Sequence, residues 1–561
     1  MEVIEVQRRL WEQSKEHKEH REKVQESSPT KWYEKRIRNL MDLMHQLQWL
    51  EAAMGRVLQR SKGKASGVDK VTVEKFTKHR LREKFEELRL ELKRGTYRPQ
   101  PLRRVEVPKA NGTMRPLGIP CLRDKIVQEA IRMALEPIFE VEFHDNSYGF
   151  RPHRHTHHAV FRCQQMLKNG FTWVIEGDVK ACFDEISHKS ILSAVREKVI
   201  DHKFLDLIDL FLKAGVMIEG KLHPTGKGVP QGGIVSPLLA NIVLNKLDWF
   251  LDGKSLYGKD MQRASYQKKP NLRFARYADD WIVLLTRTNK RYAESLKEEI
   301  GEFLATQCGL RLSQEKTKIT HVEDGFDFLG FHIEMSCGQK GYIVPKIKVG
   351  TKAITNIKHR LDEAIRFRPS QEGIASRIYR ANSVIRGWSN YFKIAHNFCD
   401  VAGTLDHIAH WTMVKAICRK YDIPTGRCHK RFYFIGRIGI TPENRIVYFS
   451  DTKMSKDYRK PLIYEPGNGI YTTDEEFEVD FHLREHLRPG SSDLKLTTLW
   501  RNRYYCQLCG RKVTAKTSHL DHIKQVQEFA SFREASTEDN IRTLCLNCHN
   551  EKTSAEKRKS V

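Results

Sequence analysis

The sequence predicts an α+β protein built from several domains, and three observations predict it. At 561 residues the chain is longer than one hydrophobic core organises well, so about three to five domains are expected. Strand-like runs near residues 103–120, 173–178 and 273–285 are interleaved with stretches whose apolar residues recur at helical spacing. Finally, four of the 12 cysteines gather near the carboxyl end as two Cys-x-x-Cys pairs, which predicts a small module held by a metal.

Composition narrows the class. Lys and Arg number 97 against 70 Asp and Glu, giving a net charge of +27, an excess that calls for a polyanionic partner beyond what solubility requires. No apolar run is long enough to span a bilayer, and the amino terminus lacks the apolar core of an export signal, so a soluble, intracellular protein without a membrane partner is expected. In a reducing compartment the paired cysteines imply metal rather than disulfides.

Taken in order, residues 1–60 mix charged residues with spaced Leu, Met and Trp and predict helix. Phe76, Leu81, Phe85, Leu88 and Leu92 lie at helical spacing, and Gly95 ends that helix. Asn111-Gly112, between β-prone stretches, predicts a tight hairpin flanked by Lys109 and Arg115. Asp124 is expected to cap a helix carrying Val127, Ala130, Ile131, Ala134 and Leu135, stopped before Pro137. Arg151, Arg154 and the histidines from His153 to His158 read as contacts to phosphates and bases, in preference to a metal site. Trp173-Val174-Ile175 leads as a strand into Asp178, followed by a polar turn and a helix that begins near Phe183.

Gln231-Gly232-Gly233 allows backbone to approach a ligand closely, and Pro237 opens an apolar helix. Residues 252–272 predict an exposed loop. Two strand-like runs then flank Tyr277-Ala278-Asp279-Asp280, which predicts a hairpin with both carboxylates at an exposed tip. Vicinal carboxylates repel, so a divalent cation between them is the better account, and Asp178 supplies a third acid. Such an oxygen-rich site suits Mg²⁺, and two ions there would serve an in-line phosphoryl displacement. Residues 350–435 turn helical, basic and aromatic, and residues 436–499 mix strand and loop up to the linker-like Arg488-Pro489-Gly490-Ser491-Ser492.

Five motifs in consistent order resemble the reverse transcriptases encoded by group II introns: Ser147-Tyr148-Gly149-Phe150-Arg151-Pro152, the Asp178 segment, Gly228 to Pro237 around Gln231, the Tyr277 box, and Phe328-Leu329-Gly330-Phe331. The resemblance implies a right-hand polymerase whose fingers and palm span 61–345. It further implies a helical amino-terminal extension at 1–60 that grips RNA, a helical thumb or maturase domain at 346–435, and a DNA-binding region with linker at 436–499. It makes Asp178, Asp279 and Asp280 the catalytic acids on two Mg²⁺ ions, Asp280 in support. Lys109 and Arg115 would hold the triphosphate, Gln231 and Lys316 would lie against the nucleotide, and Phe183 would exclude a ribose 2′-hydroxyl. Phe328 to Phe331 would hold the primer end.

In the last segment, 500–561, Cys506, Cys509, Cys545 and Cys548 fill the tetrahedron of one structural Zn²⁺ and leave no open position. The set Asp521-His522, Asn540 and His549 framed by those cysteines resembles the HNH nucleases, a ββα-type module. On that resemblance His522 is the general base, Asp521 and His549 hold one Mg²⁺, and Asn540 orients the histidine loop; a zinc module that binds nucleic acid without cutting is the rival.

The expectation is therefore a group II intron-encoded protein that copies RNA into DNA, assists splicing as a maturase, and nicks the DNA strand whose end primes synthesis. Its partners are intron RNA, target DNA and deoxynucleoside triphosphates, with a homodimer left open. It is placed in the cytoplasm of a prokaryote-like cell as a nucleoid-associated ribonucleoprotein. The alternatives are a splicing-only maturase and a defence-associated reverse transcriptase without an intron.

Overall fold

The structure, a computed structural model, describes the chain outside residues 1–2, 28–35, 61–64, 74–75, 77–80, 109–113, 219, 258–259, 263–266, 268, 339–340, 367–371, 435, 442, 453–504, 512, 514–517, 524–540, 546–547, 550–551 and 553–561. Two compact units divide it, Met1–Glu465 and Pro466–Val561. Among the described residues no helix is long and apolar enough to cross a membrane.

The first unit begins with helices α1 (Val3–Ser27), α2 (Leu47–Arg60) and α3 (Leu81–Arg94). Gly95, at φ 71°, ends α3 as its position predicts, because the left-handed region is open to it without a Cβ penalty. Strands β1 (Leu102–Pro108) and β2 (Met114–Ile119) pair antiparallel from Arg103↔Ile119 to Pro108↔Met114, the hairpin that Asn111-Gly112 predicts. The turn itself, with Lys109, lies outside the described residues.

Helix α4 (Leu122–Glu140) is buried along nearly its whole surface and departs from expectation twice. Its N-cap is Cys121, without a side-chain bond, and Asp124 lies one turn in, where it accepts from Tyr97 Oη at 2.5 Å and the Gln100 N–H at 3.0 Å. Burial pushes the Asp124 carboxyl up to about 6. The helix also continues through Pro137. A proline in a helix interior deprives the carbonyl four residues earlier of its donor, a defect of about 3 kcal/mol. Here that carbonyl belongs to Met133, and the buried Gln7 amide of α1 donates to it at 2.8 Å.

Helix α5 (Thr156–Lys168), β3 (Trp173–Asp178), the short helix α6 (Cys182–Glu185), β4 (Val216–Ile218), β5 (Lys221–His223) and helix α7 (Ser236–Gly253) follow. They lead to β6 (Asn271–Tyr277), β7 (Asp280–Thr286) and β8 (Lys318–His321). One sheet has the order β2-β1-β4-β5, the other β6-β7-β3-β8. The second is a divider. Ile175, Phe274, Trp281, Val283 and Leu285 enter a core shared with α1 to α4 and α7, while Val174, Ala275, Ile282 and Leu284 enter another. Apolar residues on both faces are why these strands read as continuous hydrophobic runs.

The other core joins α5 to a sheet of β9 (Phe326–Phe328), β10 (Phe331–Cys337) and β11 (Ile343–Val349) and to helices α8 (Thr351–Ile365), α9 (Ile374–Phe392), α10 (Phe398–Tyr421) and α11 (Thr425–Phe432). Strands β12 (Tyr433–Phe434) and β13 (Arg437–Ile438) close it. In the second unit β14 (Ser518–His522) pairs antiparallel with β15 (Ile541–Cys545).

Candidate active sites

Antiparallel pairing brings the three acids together. The last residue of β3, Asp178, stands opposite the first residue of β7, Asp280, and Tyr277 closes β6 opposite Asp280 as well. The turn between β6 and β7 is only Ala278-Asp279, with Ala278 in the left-handed region at φ 59°. The expected exposed tip is thus corrected: Asp279 alone occupies the turn, Asp280 belongs to the strand, and both are partly buried. Burial, reinforced by Asp178, raises the Asp279 carboxyl, while Arg115 on β2 and Lys316 work against that rise. Burial first, then Asp279, Asp178 and Glu176, push Asp280 up to about 7. Lys316 Nζ reaches Asp178 Oδ2 at 2.9 Å. Three crowded carboxylates, among which Asp279 and Asp280 are raised by burial and by their acidic neighbours against nearby cationic side chains, are a donor set suited to a hard divalent cation.

A buried network that sequence reasoning missed holds the turn. All five N–H groups of the fully buried Arg276 are engaged. Nε and one Nη donate to Asp248 at 2.7 and 2.6 Å, and that second Nη also donates to Ser147 Oγ at 2.8 Å; the other Nη donates to Asn241 Oδ1 and to the Ala278 carbonyl, both at 2.8 Å. Asn241 Nδ2 in turn donates to the Gly149 carbonyl at 2.7 Å. A Cβ on Gly149 would lie 2.4 Å from the Ala278 backbone nitrogen, so only glycine permits this approach. The one available signal was a charged residue inside a strand apolar on both faces, which must find a buried partner.

Arg151 and Arg154 are not the phosphate contacts their sequence suggests. Arg151 is buried in a bidentate pair with Glu140, with donors at 2.7 to 3.1 Å, and also donates to the carbonyls of His144 and Ser147. Arg154 is likewise buried, donating to the Asp145 carbonyl at 2.5 Å. His157 contacts the Tyr391 carbonyl at 2.7 Å, and burial lowers His155, His157 and His158 below the ordinary histidine range. These side chains brace the loop from within because each guanidinium finds carbonyls and a carboxylate in a water-poor site.

The Gln231 loop is fitted between two elements. Gly118 N–H donates to the Gln231 carbonyl at 2.7 Å, Val229 N–H to the Phe183 carbonyl at 2.6 Å, and Gln231 Nε2 to Asp184 Oδ2 at 3.0 Å. Gly232, at φ 116°, has no room for a Cβ, which would stand 2.5 Å from the Gly118 carbonyl oxygen. Phe183 is half-buried on α6, and Arg115 is exposed on β2, its charge partly offsetting the burial that raises both Asp184 and Asp279.

In the second unit the four sulfur atoms of Cys506, Cys509, Cys545 and Cys548 all lie within 4.8 Å of one another, Cys509 and Cys545 at 3.8 Å. Sulfurs about 2.3 Å from a tetrahedral Zn²⁺ stand roughly 3.8 Å apart, so the set fits that ion. Burial raises the Cys506 thiol, yet the backbone N–H groups of Cys509, Cys545 and Leu508 bring it down to about 6. Asp521 is buried on β14 and accepts from Arg542 Nε at 2.9 Å and Lys552 Nζ at 2.8 Å. His519, two residues before Asp521 and so on the same strand face, stacks on His549 with ring centroids 5.1 Å apart. Both Asp521 oxygens are engaged by cations, Oδ1 by Lys552 and Oδ2 by Arg542 and Lys552 together. The His522 backbone pairs with Ile541; its side chain and Asn540 lie outside what is described.

Comparison with known proteins covers the same regions. The reverse transcriptase (RNA-dependent DNA polymerase) family matches residues 107–333, the group II intron maturase-specific domain 354–434, and the HNH endonuclease family 506–555. Protein YkfC of Escherichia coli is 42% identical over 320 residues, 53% of this chain and 83% of its own. The group II intron-encoded protein LtrA of Lactococcus lactis is 32% identical over 412 residues, 60% of this chain and 68% of its own. A putative COX1/OXI3 intron 2 protein of Saccharomyces cerevisiae is 24% identical over 583 residues, 91% of this chain and 65% of its own.

Proposed function

The chain belongs to the family of group II intron-encoded proteins, and on that premise we propose how its residues divide the work. It is a multifunctional enzyme, an RNA-directed DNA polymerase with maturase and HNH endonuclease domains, and its partners include intron RNA, DNA and deoxynucleoside triphosphates. Both enzyme families depend on metal ions. In the cytoplasm, as a nucleoid-associated ribonucleoprotein, the intron RNA enters one strand of a DNA site, the nuclease nicks the other, and the polymerase extends the nicked end.

Asp178 and Asp279 would hold two Mg²⁺ ions with Asp280 in support, and ions bound there would supply the charge that activates a primer 3′-hydroxyl and steadies the leaving pyrophosphate. Arg115 and Lys109 hold the triphosphate by charge-assisted bonds. Gln231 and Lys316 lie against the nucleotide, and the Phe183 ring excludes a ribose 2′-hydroxyl. In the nuclease, His522 would take the proton from water, Asn540 would orient its loop, Asp521, once released from Arg542 and Lys552, would hold one Mg²⁺ with His549, and one structural Zn²⁺ would occupy the cysteines. The work falls to an RNA-gripping extension at 1–60, a polymerase at 61–345, a thumb at 346–435, a DNA-binding stretch at 436–499 and the nuclease at 500–561.

The observation that carries the reading is Asp178 opposite Asp280 with Asp279 at the adjoining turn. Asp279→Ala is expected to abolish DNA synthesis while splicing assistance persists, because gripping RNA does not need these carboxylates. His522→Ala should stop cutting of the second strand yet leave extension of a supplied primer intact. Loss of both activities in either variant refutes the division.

A further inference from the structure

Lys316 is bonded to a metal-binding acid, a position that a role against the nucleotide does not by itself explain. Its turn is hung on the end of β3. The Ser313 N–H donates to the Asp178 carbonyl and the Lys180 N–H to the Arg311 carbonyl, both at 2.9 Å, and Val179 bridges to Leu312. The N–H groups of Lys316 and Thr317 then donate to the Ser313 carbonyl at 3.2 and 2.8 Å, which closes the turn before β8 begins. The Lys316 backbone is thereby fixed beside the acids. Its side chain is 69% exposed, so the flexible four-carbon stem has room to swing.

Here the ammonium supplies the charge that a metal would otherwise supply. Nζ donates to Asp178 Oδ2 at 2.9 Å, and the same charge works against the rise of Asp279 and Asp280. Lysine and metal compete for this place. Mg²⁺ binds carboxylate oxygen at about 2.1 Å, so an ion on Asp178 would stand within roughly 5 Å of an ammonium kept on the same carboxylate, and like charges that close repel. A displaced Lys316 needs another anion, and the triphosphate is the one that every cycle of synthesis brings to these acids. An ammonium suits such an exchange because it is a point charge, without the planar fork that ties a guanidinium to one partner.

We propose that Lys316 is a placeholder cation: in the metal-free chain its ammonium holds Asp178, and on loading it passes to the triphosphate of the incoming nucleotide, so that metal and nucleotide are taken up together. The inference rests on the polymerase reading of Asp178, Asp279 and Asp280. The coupling is reciprocal: bound triphosphate favours metal loading by drawing off the competitor, and metal loading frees the amine for the triphosphate.

The amine can be followed directly. In the full chain without primer, acetylation of Lys316 by a limiting N-hydroxysuccinimide ester, read by mass spectrometry, should rise about two-fold to five-fold on adding Mg²⁺. It should fall again when a deoxynucleoside triphosphate is added. That range is what an ion pair this exposed is worth. Asp178→Asn should leave Lys316 in its reactive state with or without Mg²⁺. By calorimetry, the Mg²⁺ binding that Asp279→Ala abolishes should be about two-fold to five-fold tighter in Lys316→Gln, a substitution that leaves the backbone bonds of the turn in place. Reactivity that Mg²⁺ does not raise, or a Lys316→Gln chain that binds Mg²⁺ no more tightly than wild type, overturns the proposal. So does reactivity that Mg²⁺ raises and the triphosphate does not lower, because the amine would then be displaced without being handed on. A wild-type chain that extends no primer with Mg²⁺ overturns the polymerase reading and this inference together, a result distinct from wild-type extension with Lys316 indifferent to the ion.

Discussion

Replacing Arg276 by Met should damage the polymerase in two separable ways. Arg276 and Asp248 are both fully buried, and the substitution leaves Asp248 as an unpaired carboxylate without water. Breaking such a pair costs about 3–5 kcal/mol, a large share of the roughly 5–15 kcal/mol that holds a typical protein folded. Adding Asp248→Leu removes the stranded charge and should return about 2–3 kcal/mol, measured as coupling between the two substitutions in urea unfolding. Activity should not return with stability. The Ala278 carbonyl, Asn241 Oδ1 and Ser147 Oγ still lack the guanidinium that ties them together, so the left-handed turn beneath Asp279 is no longer held. A misplaced catalytic group costs on the order of a hundred-fold in rate, which single-nucleotide primer extension reads directly. A double variant that is restored in stability and extends at the wild-type rate would refute the positioning role. A double variant no more stable than Arg276→Met would refute the ion-pair energetics.

Further consequences can be measured on the same protein. Phe183→Val should admit ribonucleotides, raising the incorporation of ribo- relative to deoxynucleoside triphosphate, whereas unchanged discrimination removes the ring from the sugar site. Asp280 titrates near 7 in the folded chain, above the ordinary carboxylate value of about 4, so its stabilising protonated form is complete below about pH 4 and lost as pH rises through 7. The metal-free wild-type chain should therefore lose more stability than Asp280→Asn across that window, and the Mg²⁺-induced rise in melting temperature should grow with pH; parallel pH profiles for the two chains would contradict this. A zinc chelator, or Cys509→Ser, should abolish DNA cutting and release about one zinc per chain while primer extension continues, because structural zinc contributes about 10–16 kcal/mol to small domains of this kind. Zinc release without loss of cutting would exclude the structural role.

Much of this architecture was legible in the residue pattern. The apolar runs around Asp178 and around Tyr277 to Asp280 are strands, Asn111-Gly112 lies between two paired strands, Gly95 ends its helix, and the paired cysteines gather their sulfurs. Each is a local signal: a period, a turn dipeptide, a ligand spacing. The misreadings concern residues whose meaning depends on distant partners. Asp124 resembles a cap but is claimed by Tyr97 and Gln100. Pro137 resembles a stop, yet Gln7, more than a hundred residues away in the chain, satisfies the carbonyl it frees. Arg151 resembles a phosphate ligand and is an internal brace on Glu140.

By itself the sequence determined which acids, cysteines and histidines are present, their order along the chain and the strands that deliver Asp178, Asp279 and Asp280, since hydrophobic period and turn chemistry act over a few residues. Only the tertiary structure decided that Asp280 faces Asp178, that Arg276 is spent on holding the turn, and that Lys316 is bonded to Asp178. The reason is electrostatic and steric: what a charge or a ring does depends on its burial and its neighbours, and those come from segments far apart in the chain.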